Sequence, residues 1–308
     1  MSDGSSIEWT DATWSPVTGC TKISNGCLNC YIERTPPFRM AHRKFDKPGI
    51  GGTTGVQLHP DRLGQPFRWR KPRRIFVCSL ADLFHSDVPD DHIIDVWSVM
   101  AATPRHTYQV LTKRPARMRA LLSASDFREK VARRAAGRME DGDHWLDYLM
   151  FERKAWPLPN VWGGVTAEDQ PRADQRIPIL LNTPLAVRWV SVEPMLSSIR
   201  LPMFCACGCR KPIGVAEREA RLNPGYLNEY QAEAAVCSTL GVDWVVLGGE
   251  SGPGARPMDP VWARSVRDQC VSAGVPFLFK QWGGRTPKAN GRLLDGRTWD
   301  EYPAMVTS

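Results

Sequence analysis

No stretch of this sequence approaches the roughly 18 consecutive apolar residues that a membrane-crossing helix requires. Its opening, MSDGSSIEWTDATW, lacks the basic start and apolar run of a secretory signal. Internal repeats and low-complexity tracts are missing as well. The first two absences argue against a helical membrane anchor and an export route, the third against a repeat architecture. The expectation is a cytoplasmic globular protein with no membrane partner. Its 308 residues, 42% hydrophobic and 24% charged, suffice for one large domain or two small ones. Oligomeric state is left open.

Nine cysteines in a chain of this kind are not expected to pair as disulfides, because a reducing cytosol keeps thiols free for metals or catalysis. The net charge of +7 is modest, but basic residues cluster at Arg68 to Arg74, Lys113 to Arg119 and Arg128 to Arg138. Such clusters suit phosphates, and equally suit solvated helix faces and loop ends.

Six short apolar, β-branched runs recur with helix-like segments between them, the pattern of β/α units feeding a parallel sheet. They are Arg74 to Leu80, Thr107 to Thr112, Asn160 to Thr166, Ala186 to Val192, Asp243 to Gly248 and Pro276 to Lys280. Helices are expected over Asp91 to Ala102, Pro115 to Leu122, Ala173 to Leu181 and Pro260 to Ala273, with Asp90, Asp91 and Asp259 as candidate caps. Each run ends in polar residues: Asp82, Lys113, Glu168 with Asp169, Glu193, Glu250 and Lys280. In a β/α barrel that rim is where chemistry is assembled, although a charge after a strand also simply marks the return to solvent. Residues 123–158 and 203–240 interrupt the alternation as two excursions. The expected division is a barrel over 1–202 and 241–308 with an inserted cysteine-rich module at 203–240.

Cys20, Cys27 and Cys30 sit together in a loop punctuated by Gly19, Gly26 and Asn29. Three convergent thiolates suit a soft metal or an iron-sulfur cluster. Structural zinc closes with four ligands, and His42 or Cys78 would be candidates for the fourth. Three cysteines on a four-iron cluster instead leave one iron open to another ligand.

At this point the chain resembles phage and bacterial proteins with a three-cysteine motif that are similar to radical S-adenosylmethionine (SAM) enzymes. The resemblance rests on IEWTDATWSP from Ile7, the cysteine loop, SLADLFH from Ser79 and QVLTKRP from Gln109. It continues in SVEP from Ser191, GGESGPGARP from Gly248 and FKQWG from Phe279. Six residues separate Cys20 from Cys27 rather than the usual three, and Tyr31 follows the last cysteine where an aromatic would ordinarily precede it.

What the resemblance implies is an α/β fold, a partial (β/α)6 TIM-like barrel of radical SAM type. It would carry a 4Fe-4S cluster on Cys20, Cys27 and Cys30, with SAM across the strand ends and an external electron donor. Gly248, Gly249, Glu250 and Lys280 become candidates for holding SAM, and Asp82, His85, Lys113 and Glu193 for catalysis. Hydrogen abstraction from an unidentified substrate would follow, with DNA or RNA suggested by the basic clusters.

Cys205, Cys207 and Cys209, with Cys237 as a fourth ligand, suit zinc or a second cluster. The competing reading is a non-enzymatic, zinc-stabilised nucleic-acid-binding protein. A hydrolase using Asp82, His85 and rim carboxylates is a third.

Overall fold

The computed structural model describes residues 4–202 and 241–304. Its first strand, β1 (Ala12–Trp14), is followed by two short strands, β2 (Val17–Thr18) and β3 (Gln57–Leu58), which pair antiparallel outside the main sheet. Between these two lies the short helix α1 (Pro36–Met40), and α2 (Gln65–Arg68) comes after them. Then β4 (Arg74–Val77), α3 (Asp90–Ala101), β5 (Thr107–Thr112) and α4 (Pro115–Leu122) begin the β/α alternation. Two further helices, α5 (Phe127–Ala136) and α6 (Gly142–Phe151), precede β6 (Val161–Thr166), α7 (Gln170–Leu181) and β7 (Val187–Val192). The last units are β8 (Trp244–Gly248), α8 (Pro260–Ser272) and β9 (Phe277–Gln281).

The strands β1-β4-β5-β6-β7-β8-β9 form one curled, all-parallel half-barrel. All six strands expected from sequence are present, but the sheet has seven: β1 is only three residues long, too short for a period-2 signal. The helical excursion at 123–158 is no separate body. Helix α5 packs through Phe127, Val131, Ala132 and Ala135 into the same core as α3, and the Phe127 and Trp97 rings meet edge to face at 6.0 Å. Segment 203–240, and with it Cys205, Cys207, Cys209 and Cys237, lies outside the described residues.

Because side chains alternate along a strand, each strand serves two compartments. Outward residues such as Val110, Val165, Val190, Val245 and Phe279 join the helices in the main core. Inward residues divide by depth. At the N-terminal end of the strands Phe76, Trp162, Trp189, Trp244 and Leu278 pack with Trp9 into a second core that plugs the half-barrel. Trp189 and Trp244 lie 5.3 Å apart and Trp9 meets Trp189 at 5.2 Å. One strand step towards the C-terminal end come Gly164, Ser191 and Gly248, then Thr166, Glu193 and Glu250. The plug thus gives way to a polar cup.

The gap between the outer strands is laced at the plugged end by the two ends of the described chain. Phe279 N donates to Trp299 O at 2.9 Å, Tyr302 packs on Trp244 at 5.4 Å, and its hydroxyl reaches Glu8 O at 3.3 Å. Among the described residues no helix is long and apolar enough to cross a membrane.

Candidate functional site

The cysteine loop follows β1 and β2 and lies on the C-terminal rim of the half-barrel. Its entry is a Gly19–Ala81 bridge to the segment after β4, with Gly19 N donating to Leu80 O at 2.9 Å. Gly19 has φ +95°, and a Cβ there would fall 1.7 Å from Gly55 O, so only glycine fits. Further along, Gly26 N reaches Glu168 Oε1 at 3.4 Å. Asn29 Nδ2 donates to Glu250 Oε2 at 2.9 Å and to Gly254 O at 3.0 Å. Tyr31 gives its hydroxyl to Ser79 O at 2.5 Å. The loop is therefore fastened to the ends of β4, β6 and β8, strands far apart in sequence.

Cys20, Cys27 and Cys30 are all free and partly exposed. Burial, then the Asp82 carboxylate, pushes the Cys20 thiol up to about 12, and the Cys27 and Cys30 sulfurs add to the rise while Arg114 opposes it. Cys30 is also raised, by burial first, against the help of the Ile32 backbone. The three sulfurs are thus mutual electrostatic neighbours, and Cys20 and Cys30 resist ionising without a cation. Cationic side chains stand close: Arg114 Nη1 lies 3.9 Å from Cys20 Sγ, and Lys22 and Lys113 both act on Cys30. Among the described residues no three His, Cys, Asp or Glu side chains lie close enough to share a single metal ion.

Inside the cup, Lys113 Nζ donates to Thr166 Oγ1 at 3.2 Å. Burial opposes its charge, but Cys27, Glu168 and Cys30 more than offset this and hold the ammonium protonated above its ordinary range. Fully buried Glu168 pairs with Arg176 at 2.9 Å. Burial disfavours its charge, yet Lys113, Arg176 and the Ser24 hydroxyl keep its carboxyl below the ordinary range. Across the cup, Glu193 Oε1 pairs with Lys280 Nζ at 2.9 Å while Oε2 accepts from Ser191 Oγ at 3.2 Å. Gly248 leaves room for that pair, since a Cβ there would lie 2.8 Å from Glu193 Oε1.

Three of the expected site residues turn out to be committed to the loop. Asp82 accepts from Thr112 Oγ1 (2.7 Å), Phe84 N (3.0 Å), Lys113 N (3.0 Å) and Arg114 Nη1 (2.9 Å). No oxygen of Asp82 is left for acid-base work, and its place is behind the rim. The ring of His85, 3% exposed, meets Thr21 Oγ1 at 2.9 Å and accepts from Asp87 N at 3.1 Å; burial lowers its pKa, with Arg114 adding to the effect. Glu250 takes Arg256 Nε at 2.8 Å, Arg256 Nη2 at 2.5 Å and Arg256 N at 2.9 Å besides Asn29. These contacts outweigh burial and hold its carboxyl below the ordinary range. Gly249 has no space for a side chain, because a Cβ would lie 2.0 Å from Trp282 O.

Lys113, Glu193, Gly248 and Lys280 are the expected residues that do line the cup. Arg114, Ser24 and Arg256 were not singled out from the sequence, and Asn29 was read there only as loop punctuation. For Arg256 the one available signal is its place in the turn-forming SGPGARP string after β8. The basic clusters fare differently again. Arg74 pairs with Asp11 at 3.0 Å at the start of β4, the plugged end. In and just after α5, Arg133 pairs with Glu129, Arg134 with Asp91, and Arg138 with Asp95. Arg117 is held by Asp90 and Val88 O. The charges of the second and third clusters are thus largely answered within the chain, whereas Arg68, Arg70 and Lys71 are exposed and make no ion pair among the described residues.

The half-barrel is similar to a solved structure of spore photoproduct lyase complexed with dinucleoside spore photoproduct, at a TM-score of 0.36 and 10% identity. The match covers 82% of this chain and 58% of that one, so the chain spans little more than half the length of that protein. No curated protein matches the sequence. Residues 4–303 match the family described as protein of unknown function (DUF5131), and the chain belongs to that family.

Proposed function

We propose that this protein is a radical SAM enzyme whose Cys20, Cys27 and Cys30 hold a 4Fe-4S cluster at the mouth of the half-barrel. The observation that carries the reading is the loop itself: three mutually neighbouring thiols fastened to the ends of three strands and ringed by Lys22, Lys113 and Arg114. A structural zinc site closes with four protein ligands, whereas three cysteines on a four-iron cubane would leave one iron for an outside ligand. Such a cluster, once reduced by an external donor, supplies the electron that cleaves the sulfonium bond of SAM and so starts hydrogen abstraction.

The chain's own residues divide the remaining work. Arg114, Lys22 and Lys113 offset the negative charge that the ionised thiols bring to a partly buried loop. Glu250, with both oxygens spent on Arg256 and Asn29, positions the loop rather than a ligand. The Glu193–Lys280 pair, facing the space that Gly248 leaves, offers both signs of charge to a zwitterionic amino-acid moiety such as that of SAM. The stretch 203–240 is a separate cysteine-rich module in this reading, with zinc or a second cluster on Cys205, Cys207, Cys209 and Cys237. The competing nucleic-acid-binding reading loses the support of Arg117 and of Lys130 to Arg138, which are paired within the chain, and keeps that of the exposed Arg68, Arg70 and Lys71.

The test is anaerobic reconstitution with iron and sulfide, reduction, and measurement of 5′-deoxyadenosine formed from SAM. The expected result is formation by the native chain and none by Cys27→Ala. A chain that binds only zinc and leaves SAM intact would overturn the reading.

A further inference from the structure

A cluster on this loop needs one electron from outside for each reduction, and the outer side of the loop is covered by a lobe running from α1 to β3. The lobe is fastened directly onto the loop. Thr54 Oγ1 accepts from Cys20 N at 3.0 Å, Gly51 N donates to Lys22 O at 2.7 Å, and Lys22 Nζ donates to Pro48 O at 2.9 Å. Lys22 also sits 4.2 Å above the Phe45 ring.

The outer surface of the lobe combines exposed apolar side chains with unpaired cations. Met40 is 82% exposed and Ile50 54%, and Leu28 and Tyr31, beside the loop cysteines, are 37% and 47% exposed. Between Pro36 and Leu58 stand four cationic side chains, Arg39, Arg43, Lys44 and Lys47, against one acidic residue, Asp46. Arg43 is bound internally to Thr18 and Gly55, whereas Arg39, Lys44 and Lys47 are exposed and make no ion pair among the described residues. This contrasts with α5, whose Arg133 and Arg134 are answered by acids. Large exposed apolar side chains and unpaired cations on one lobe fit a protein-docking surface better than a backbone-tracking nucleic-acid groove.

We infer that this lobe is the docking surface for an acidic one-electron carrier protein that reduces the cluster. The inference rests on the cluster reading above. The transfer forms and breaks no bond: the carrier loses one electron, the cluster gains it, and the Cys20–Cys30 loop beneath the lobe is the short route between them. Charge complementarity chooses the partner, because an acidic carrier is steered to Arg39, Lys44 and Lys47 and seated on Met40 and Ile50.

The experiment follows cluster reduction by stopped-flow absorbance, with the hydroquinone of an acidic flavodoxin as one reductant and dithionite as the other. The variants are Arg39→Glu/Lys44→Glu/Lys47→Glu and, separately, Met40→Ser/Ile50→Ser, each loaded to the same iron content. The expected result is a flavodoxin rate that falls about tenfold or more in the charge variant and loses its salt dependence, with the dithionite rate unchanged. A flavodoxin rate within twofold of the native value would overturn the proposal. So would a parallel fall in the dithionite rate, which would mean that the lobe only shapes the loop. Loss of binding to a single-stranded 20-mer with flavodoxin reduction intact would reassign the surface to nucleic acid and overturn it as well. A chain that takes up no four-iron cluster at all would instead sink the cluster reading, and the iron content tells the two failures apart.

Discussion

Arg114 is the side chain on which most of the rim converges. It pairs with Asp82 at 2.9 Å, donates to Thr21 O at 3.1 Å and stands 3.9 Å from Cys20 Sγ, with 16% of its side chain exposed. Replacing it with methionine keeps the volume but strands a largely buried carboxylate. The expected loss is about 2 kcal/mol in denaturant unfolding, below the value for a fully dry pair because some solvent reaches this one. A second effect separates Arg114 from an ordinary structural ion pair. With the proposed cluster on Cys20, the guanidinium beside that sulfur would stabilise the more negative, reduced form, so Arg114→Met should lower the reduction potential in a redox titration, and Arg114→Lys should lower it less. An unchanged potential alongside lost stability would confine Arg114 to holding Asp82.

The cysteine loop behaves as one element although it has almost no regular structure. Its single three-residue 3-10 turn, Asn25–Cys27, has no side-chain cap. Its shape comes from contacts to strand ends, and Asn29 is the strap to β8. Asn29→Ala removes the donors to Glu250 and Gly254, a loss of about 1–2 kcal/mol local to the loop. Iron should then pass faster to a chelator while the unfolding midpoint of the whole protein hardly moves, since the loop lies outside both cores. Release at the native rate would show that the strap is dispensable. The grouping of Cys20, Cys27 and Cys30 was legible in the sequence because it is local. The straps were not, because Asn29 and Glu250 are 221 residues apart and pairing at that distance leaves no periodic trace. Asp82 and Glu250 also read as free rim carboxylates until their partners are seen beside them, Arg114 brought back by the β/α unit between them and Arg256 by a tight turn that no periodicity marks. The strands β4 to β9 were legible because a strand buried on both faces is written as a continuous apolar run, whereas β1 is too short to write one.

At the scale of the molecule, stability should depend on pH through histidines scattered over three elements. His85, His92 and His106 are 3%, 7% and 1% exposed, and burial lowers the pKa of each from 6.5. A lowered value means that the unfolded chain binds protons the folded chain refuses. Stability is therefore complete above pH 6.5, falls as the pH drops through the window down to the folded values, and changes no further from this source below them. Calorimetry of the metal-free protein should show a lower Tm at pH 5.5 than at pH 7.5, with a shallower difference in His106→Gln. A flat profile would contradict the assignment.

The lacing of the half-barrel also bears on how the chain is made. Trp9 finds its neighbours at Trp189 and Trp244, and the strap that closes over them ends with Tyr302 against Glu8, a separation of 294 residues. During synthesis Trp9 can meet Phe76 early, at 4.6 Å in the finished fold, but its other plug neighbours, Trp189 and Trp244, emerge long after it. Such long-range closure is slow and leaves apolar surface open to wrong partners. The nascent protein is thus a natural client for chaperones that hold unfinished chains.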